Sequence, residues 1–260
     1  MKTNHIITGD SAEVLKGFDA DCIDLTVTSP PYDNLRTYKG FTFDFEAIAR
    51  ELYRVTKAGG VVVWVVGDAT INGSETGTSF TQALFFKSLG FNLHDTMIYE
   101  KINFIPLTHN RYEQSFEYMF IFSKGKPATF TPKREANKTA GNVYNLARKG
   151  YCATVKEGAQ RRRQQIVEVK ENKIHRNIFQ YSTGGGRVGH PAPFPMELAR
   201  DHILTWSKPG DIVLDCFAGS GTTCKMAKEN GRQYIGIEIS SEYVGLAEKR
   251  ILATSPALFA

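Results

Sequence analysis

The sequence has no long apolar run. In 260 residues no stretch of about 18 or more apolar side chains occurs, so a membrane-spanning helix is not expected. The first ten residues carry charge early and have no extended apolar segment, so a secretory leader is not expected either. Cysteine is scarce. Cys22, Cys152, Cys216 and Cys224 are scattered and never spaced C-x-x-C. That pattern indicates neither a disulfide framework nor a zinc site, and the cytoplasm is the expected location. The six histidines form no metal constellation, so no metal is expected. No Gly-Lys followed by Ser or Thr occurs, which excludes a phosphate-gripping P-loop. No internal repeat is visible. What is there is ordinary globular material, 42% hydrophobic and 23% charged, with enough apolar residues for a sizeable core.

The net charge of +5 is modest but unevenly placed. Lys124 to Arg187 holds 15 Lys and Arg against 4 Asp and Glu, whereas the rest of the chain holds 17 against 23. A near-neutral to acidic body carrying one basic insert is the electrostatic footprint of a polyanion partner. A solvated lysine-rich face is the competing reading.

Three stretches follow from the rhythm of the chain. Residues 1–124 alternate short apolar runs with helical spacing. Ile23 to Thr28 reads as a strand that stops abruptly at Ser29-Pro30-Pro31-Tyr32. Phe45 to Thr56 reads as a helix with Ile48, Leu52 and Val55 on one face, ended by Lys57-Ala58-Gly59-Gly60. Val61 to Val66 suits a strand buried on both faces. Ser79 to Leu89 reads as a helix, and Phe91 to Glu100 and Phe116 to Phe122 as strands. Residues 125–189 lose this rhythm, contain Arg161-Arg162-Arg163, and offer only Ile166 to Val169 and Ile178 to Tyr181 as short strands. Residues 190–260 regain it: helix Met196 to Trp206, strand Ile212 to Asp215, helix Gly221 to Asn230, strand Tyr234 to Glu238, helix Ser241 to Ile251. Strands alternating with helices argue for a parallel α/β sheet. The first and third stretches are expected to build one sheet, interrupted by the insert.

Two segments carry chemistry. In Asp215-Cys216-Phe217-Ala218-Gly219-Ser220-Gly221-Thr222-Thr223 a strand runs into a glycine turn and then a helix. Glycines allow the tight turn and close ligand approach, and exposed N–H groups at the helix start favour an anionic group. About 23 residues later a second strand ends in Glu238, placed to accept from both hydroxyls of a ribose. Together they point to a nucleoside cofactor. In Thr28-Ser29-Pro30-Pro31-Tyr32, two prolines remove two N–H donors and leave acceptors facing outward. Ser29 adds a hydroxyl and Tyr32 a flat face, a set suited to a planar ligand carrying an amino group. A rigid turn is the plain alternative.

In this order the two motifs resemble the amino-group DNA methyltransferases that use S-adenosylmethionine, whose motif is (Ser/Asn/Asp)-Pro-Pro-(Tyr/Phe), and specifically their circularly permuted β group. Ile6 to Asp10, Gly59-Gly60-Val61 to Gly67-Asp68, and His190-Pro191-Ala192-Pro193-Phe194-Pro195 resemble further segments of that group. The resemblance covers roughly Met1 to Ser123 and His190 to Ile251. It implies a doubly wound, mostly parallel Rossmann-like sheet with one antiparallel strand near its edge, and places the basic insert where the family keeps its target-recognition region. It implies that Ser29, Pro30, Pro31 and Tyr32 are catalytic on a flipped base. It implies that Asp215 and the turn through Phe217, Ala218, Gly219, Ser220 and Gly221 hold the methionine end of the cofactor, beside the segment that ends in Pro195, and that Thr28 and Thr222 are further cofactor-binding residues. Glu238 is assigned the ribose, Asp10 the adenine and Phe194 the flank. Double-stranded DNA is the expected partner, with Arg36, Lys39, Arg161, Arg162 and Arg163 as candidate contacts against the reading of solvated loops. Members of the group are often dimers, so a homodimer is carried as an implication of the resemblance alone.

Ring-carbon methylation is the rival chemistry. It needs a cysteine nucleophile, which in that family follows a proline, and no Pro-Cys occurs here. Within the resembled family Ser before Pro-Pro goes more often with cytosine N4, and Asp or Asn with adenine N6. Ser29 therefore favours cytosine, with adenine N6 as the alternative. An RNA methyltransferase with the same site and a non-catalytic DNA-binding partner are the two further readings.

Overall fold

A computed structural model describes residues 1–31, 43–103, 111–145, 166–183 and 195–254. Tyr32, Arg36, Lys39, Arg161, Arg162, Arg163 and Phe194 lie outside the described residues. The chain packs as two compact units, one of residues 1–131 with 177–260 and one of residues 132–176.

The larger unit begins with β1 (His5–Thr8), α1 (Ser11–Lys16), β2 (Ile23–Thr28), α2 (Phe45–Val55) and β3 (Thr56–Val66). A small hairpin, β4 (Thr70–Ile71) with β5 (Ser74–Glu75), precedes α3 (Thr78–Ser88), β6 (Asn92–Lys101) and β7 (Phe116–Ser123). The smaller unit holds β8 (Arg134–Ala136), β9 (Val143–Asn145), β10 (Ile166–Glu168) and β11 (Asn172–Ile174). The chain then returns through β12 (Ile178–Tyr181), α4 (Met196–Trp206), β13 (Ile212–Asp215), α5 (Thr222–Glu229), β14 (Gln233–Glu238) and α6 (Ser241–Leu252).

One sheet runs through the larger unit in the order β1-β14-β13-β2-β3-β7-β6-β12. All neighbouring pairs are parallel except those made by β7, which is antiparallel to both β3 and β6. The expected mostly parallel sheet with one reversed strand near an edge is what forms. β12, read from sequence inside the basic insert, pairs with β6 from Ile178↔Ile98 to Tyr181↔Lys101 and so belongs to the large sheet.

Alternation along β3 shows how the layers are built. Val61, Val63 and Val65 enter a core shared with Leu198, Ile203, Met226 and Ile251 of α4, α5 and α6. Val62, Trp64 and Val66 enter the opposite core with Leu15, Leu52 and Phe86 of α1, α2 and α3. Successive strand residues point to opposite faces, so an unbroken apolar run is what a sheet covered on both sides requires. α2 is capped at Asp44, which accepts from Ala47 N at 3.1 Å, and buries Ile48, Ala49, Leu52 and Val55.

The helix-ending signal expected at Lys57–Gly60 has a different function. α2 already ends at Val55, and the glycines lie in a bulge of β3, where pairing jumps from Ile23↔Thr56 to Leu25↔Val61. Gly59 has φ +81°, and a Cβ on Gly60 would stand 2.7 Å from Thr56 Cγ2 and 3.1 Å from the Asp24 carbonyl oxygen. Only glycine fits this crossing.

Candidate active site

Topology locates the site before any side chain does. From β13 the chain leaves through α5 on one face toward β14. From β2 it leaves through α2 on the other face toward β3. β13 and β2 are neighbours, so a crevice opens beyond their carboxyl ends, at the switch point of the sheet. Asp215 ends β13, and Thr28 ends β2 with Ser29, Pro30 and Pro31 directly after it. The two chemistry-bearing segments are therefore brought together, although Thr28 and Asp215 are 187 residues apart in the chain.

The Thr28 hydroxyl donates to Asp215 Oδ1 at 2.7 Å, and both residues are buried. The same oxygen accepts the Phe217 N–H at 3.1 Å, and Thr223 hydrogen-bonds the carboxyl as well. Burial pushes Asp215 up to about 6, against the pull of these three donors. A carboxylate this close to neutrality gains from a cationic ligand group, which would restore its charge.

The turn after Asp215 is held open from two sides. Gly219 and Gly221 have φ of +50° and +77°. A Cβ on Gly221 would stand 2.8 Å from Ala247 Cβ, so α6 can pack under the turn only if this residue is glycine. Glu238, at the end of β14, accepts the Gly219 N–H at 2.8 Å and the Ser240 N–H at 2.9 Å. Each carboxylate oxygen thus holds one main-chain donor and keeps a lone pair for a ligand hydroxyl. Arg250 donates to the Ser220 carbonyl, and to the Ser220 hydroxyl at 2.6 Å. Thr222 is buried as the first residue of α5, and Ala218 donates its N–H to the Ile237 carbonyl at 2.8 Å. The Phe217 ring packs edge-on against Phe43, with centroids 5.4 Å apart, and against Trp64.

β1 closes the crevice on the other side of β14. Thr8 pairs with Glu238, and Gly9 N–H donates to the Glu238 carbonyl at 3.0 Å. This brings Asp10 near Glu238, where it caps α1 by accepting from Glu13 N at 3.1 Å. Pro195 is buried at the start of α4. Three residues absent from the sequence-derived set also hold the turn: Ser11, whose hydroxyl donates to the Cys216 carbonyl, Thr223 and Arg250. Burial pushes the Cys216 thiol up, and its Sγ faces Thr28 Oγ1 at 3.8 Å. It is a packed, protonated thiol, which suits the exclusion of ring-carbon chemistry.

With this geometry in place, the DNA methylase family N6_N4_Mtase matches residues 23–249. The chain belongs to this family. The methylase is 54% identical over 239 residues to the orphan methyltransferase M.BamHII of Bacillus amyloliquefaciens, covering 89% of each chain. Its fold is similar to that of PvuII DNA methyltransferase (cytosine-N4-specific), with TM-score 0.68, 22% identity, and coverage of 96% of this chain and 86% of that one. It is also similar to a DNA modification methylase of Thermus thermophilus, solved in complex with S-adenosyl-L-methionine, with TM-score 0.63, 25% identity, and coverage of 95% and 94%. Among the described residues of the methylase no three His, Cys, Asp or Glu side chains gather as a metal site, and no helix is long and apolar enough to cross a membrane.

Proposed function

We propose that this methylase moves the methyl group of S-adenosylmethionine to the exocyclic amino group of a flipped base in double-stranded DNA, with cytosine N4 ahead of adenine N6. The observation that carries the proposal is the 2.7 Å bond from Thr28 to Asp215. It joins the acceptor-rich Ser29-Pro30-Pro31 segment to the glycine turn at the switch point of the sheet. S-adenosylmethionine, when bound, supplies a methyl group on a sulfonium.

The glycine turn and Asp215 hold the methionine end of that ligand, and the raised Asp215 carboxyl takes up its ammonium. Glu238 holds the ribose hydroxyls with its remaining lone pairs, Asp10 the adenine, and Phe194 its flank. Ser29 and the Pro30 carbonyl accept the two amino hydrogens of the base, and Tyr32 stacks on its ring. Accepting both hydrogens draws the nitrogen lone pair out of conjugation and aims it along the methyl–sulfur axis. The N–C bond forms as the S–C bond breaks, S-adenosylhomocysteine leaves, and the nitrogen loses one proton to solvent. The work asked of the protein is positioning. Ser29 is what favours cytosine over adenine, and Arg36, Lys39 and Arg161 to Arg163 are the proposed contacts to the DNA backbone.

The test is transfer of a labelled methyl group to a panel of duplex DNA, single strands and RNA, with Tyr32→Ala as control. Label is expected in duplex DNA. The Tyr32→Ala protein should bind S-adenosylmethionine nearly as the wild type does and lose most of the turnover. Label in RNA alone would move the substrate to RNA, and collapse of cofactor affinity in the variant would remove Tyr32 from the base.

A further inference from the structure

The face of the large sheet toward α4 carries one polar pair that the proposed chemistry does not use. Val27, Val65, Met119, Met97 and Phe179, from β2, β3, β7, β6 and β12, form a buried apolar layer on this face. A strand returns to the same face every second residue. One step further toward the crevice the face continues with Ser29 after β2, Gly67 after β3, Glu117 on β7, Tyr99 on β6 and Tyr181 on β12, and Lys101 stands one step beyond Tyr99. The register aligns them: Val66 pairs with Tyr118, Tyr99 with Glu117, and Lys101 with Tyr181.

Lys101 Nζ lies 2.8 Å from Glu117 Oε1, with the two side chains 22% and 17% exposed. An ion pair in open water adds little to stability. One largely withdrawn from water must offset the desolvation of both charges, so stability alone does not account for it. This pair stands at the crevice end of the sheet, beside the buried rings of Tyr99 and Tyr181, whose centroids are 5.9 Å apart. Tyr181 is fixed in turn by donating to Asp201 Oδ2 of α4 at 3.0 Å. On this face the position between Ser29 and Glu117 belongs to Gly67, which puts no side chain there. The two outer positions are two strand spacings apart, about 10 Å. A hydrogen bond of about 2.9 Å at either end leaves room for one flat ring between β2 and β7.

We propose that Lys101, held by Glu117, is the far wall of the pocket for the flipped base and donates to cytosine N3 and O2. This rests on the reading of the site as one that methylates a base amino group in duplex DNA. With the amino hydrogens on Ser29 and the Pro30 carbonyl, the next two positions along the edge of cytosine are N3 and O2, both acceptors. An ammonium has three donors; one is turned to Glu117 and two meet those atoms. Adenine offers N1 and then a C–H, so it can use only one of them. Lys101 is thus a second determinant of the base beside Ser29, and Glu117 is the residue that aims it.

The test uses the full chain. A random-sequence pool of duplex DNA fixes the bound site, and a cytosine analogue with C–H in place of N3 then replaces each cytosine of that site in turn. Methyl transfer is read as kcat/KM, and duplex Kd is read with S-adenosylhomocysteine present, which needs no transfer. On the wild type one replacement is expected to cost about 10–100-fold in both readings. Lys101→Met should lose about as much on the unmodified duplex, and the same replacement should then cost it nothing further, with S-adenosylmethionine affinity at the wild-type value. A purely structural role would make the two losses multiply. Lys101→Arg, which keeps the charge but not the compact ammonium, carries the same expectation should Lys101→Met not fold. Losses that multiply, a wild type indifferent to every replacement, or methyl transfer to adenine would each overturn the proposal. Coupled losses in Kd without any methyl transfer sink the proposed function alone, whereas transfer to cytosine with multiplying losses sinks this inference alone.

Discussion

Two buried titratable groups should oppose each other in the pH dependence of stability. Burial raises Asp215 from 3.8 to about 6. Burial lowers His202 from 6.5 to about 4, with Asp201 partly offsetting it. His202 lies on the buried face of α4, with Nε2 3.3 Å from Met119 Sδ and its ring stacked on Phe179. For Asp215 the native state holds more protons than the unfolded chain between its two values. Its contribution is fully present below about pH 4 and is lost as the pH rises through about 6. For His202 the native state holds fewer protons. Its contribution is fully present above about 6.5 and is lost as the pH falls through about 4. At about 1.36 kcal/mol per unit, each is worth about 3 kcal/mol. In the wild type the two nearly cancel between about pH 4 and 6.5, and single substitutions separate them. Asp215→Asn should gain about 3 kcal/mol relative to wild type as the pH rises from about 4 to 7, and His202→Gln should lose about 3 kcal/mol relative to wild type over the same range. Urea unfolding of the ligand-free proteins across this range measures both differences, and constant offsets from repacking drop out of the slopes. A difference curve that is flat, or two that slope the same way, would refute the placement of these groups in the folded state.

Thr28→Val removes a donor to Asp215 and leaves the shape. A hydrogen bond to a charged group is worth about 1.5–3 kcal/mol. The pH profile of S-adenosylmethionine binding should therefore move up by about 1–2 units, with weaker affinity at neutral pH; an unmoved profile would detach Thr28 from the site. Gly221→Ala forces a Cβ into Ala247 at a φ of +77°. It should cost on the order of 1–3 kcal/mol of stability and weaken cofactor binding, both readable by thermal unfolding with and without ligand.

How much of this was legible depends on where each interaction lies in the chain. β2, β3, β13 and β14 were readable because strands covered on both faces must be apolar throughout, and α2 because its apolar side chains recur at helical spacing. Gly59 and Gly60 were visible as a break, but a helix stop and a β-bulge look alike in sequence; the difference lies in the Asp24 carbonyl on the neighbouring strand. The short strands of the smaller unit were nearly invisible. Arg134–Ala136 and Asn172–Ile174 are three residues long, mostly polar and solvated on both faces, so no period marks them. At the site, Asp215, Thr28 and Glu238 stood out by motif and spacing. Ser11 and Arg250 did not, since each holds a main-chain carbonyl far away in sequence, and a carbonyl leaves no signature in residue type.

The most direct test of the proposed chemistry is to incubate the protein with methyl-deuterated S-adenosylmethionine and unmethylated genomic DNA, digest to nucleosides, and weigh the products. Deuterated N4-methylcytosine is the predicted product, and deuterated N6-methyladenine would keep the site and mechanism while removing Ser29 as the determinant of the base. DNA without any deuterated methylnucleoside would contradict the central claim that this site transfers a methyl group to a base amino group.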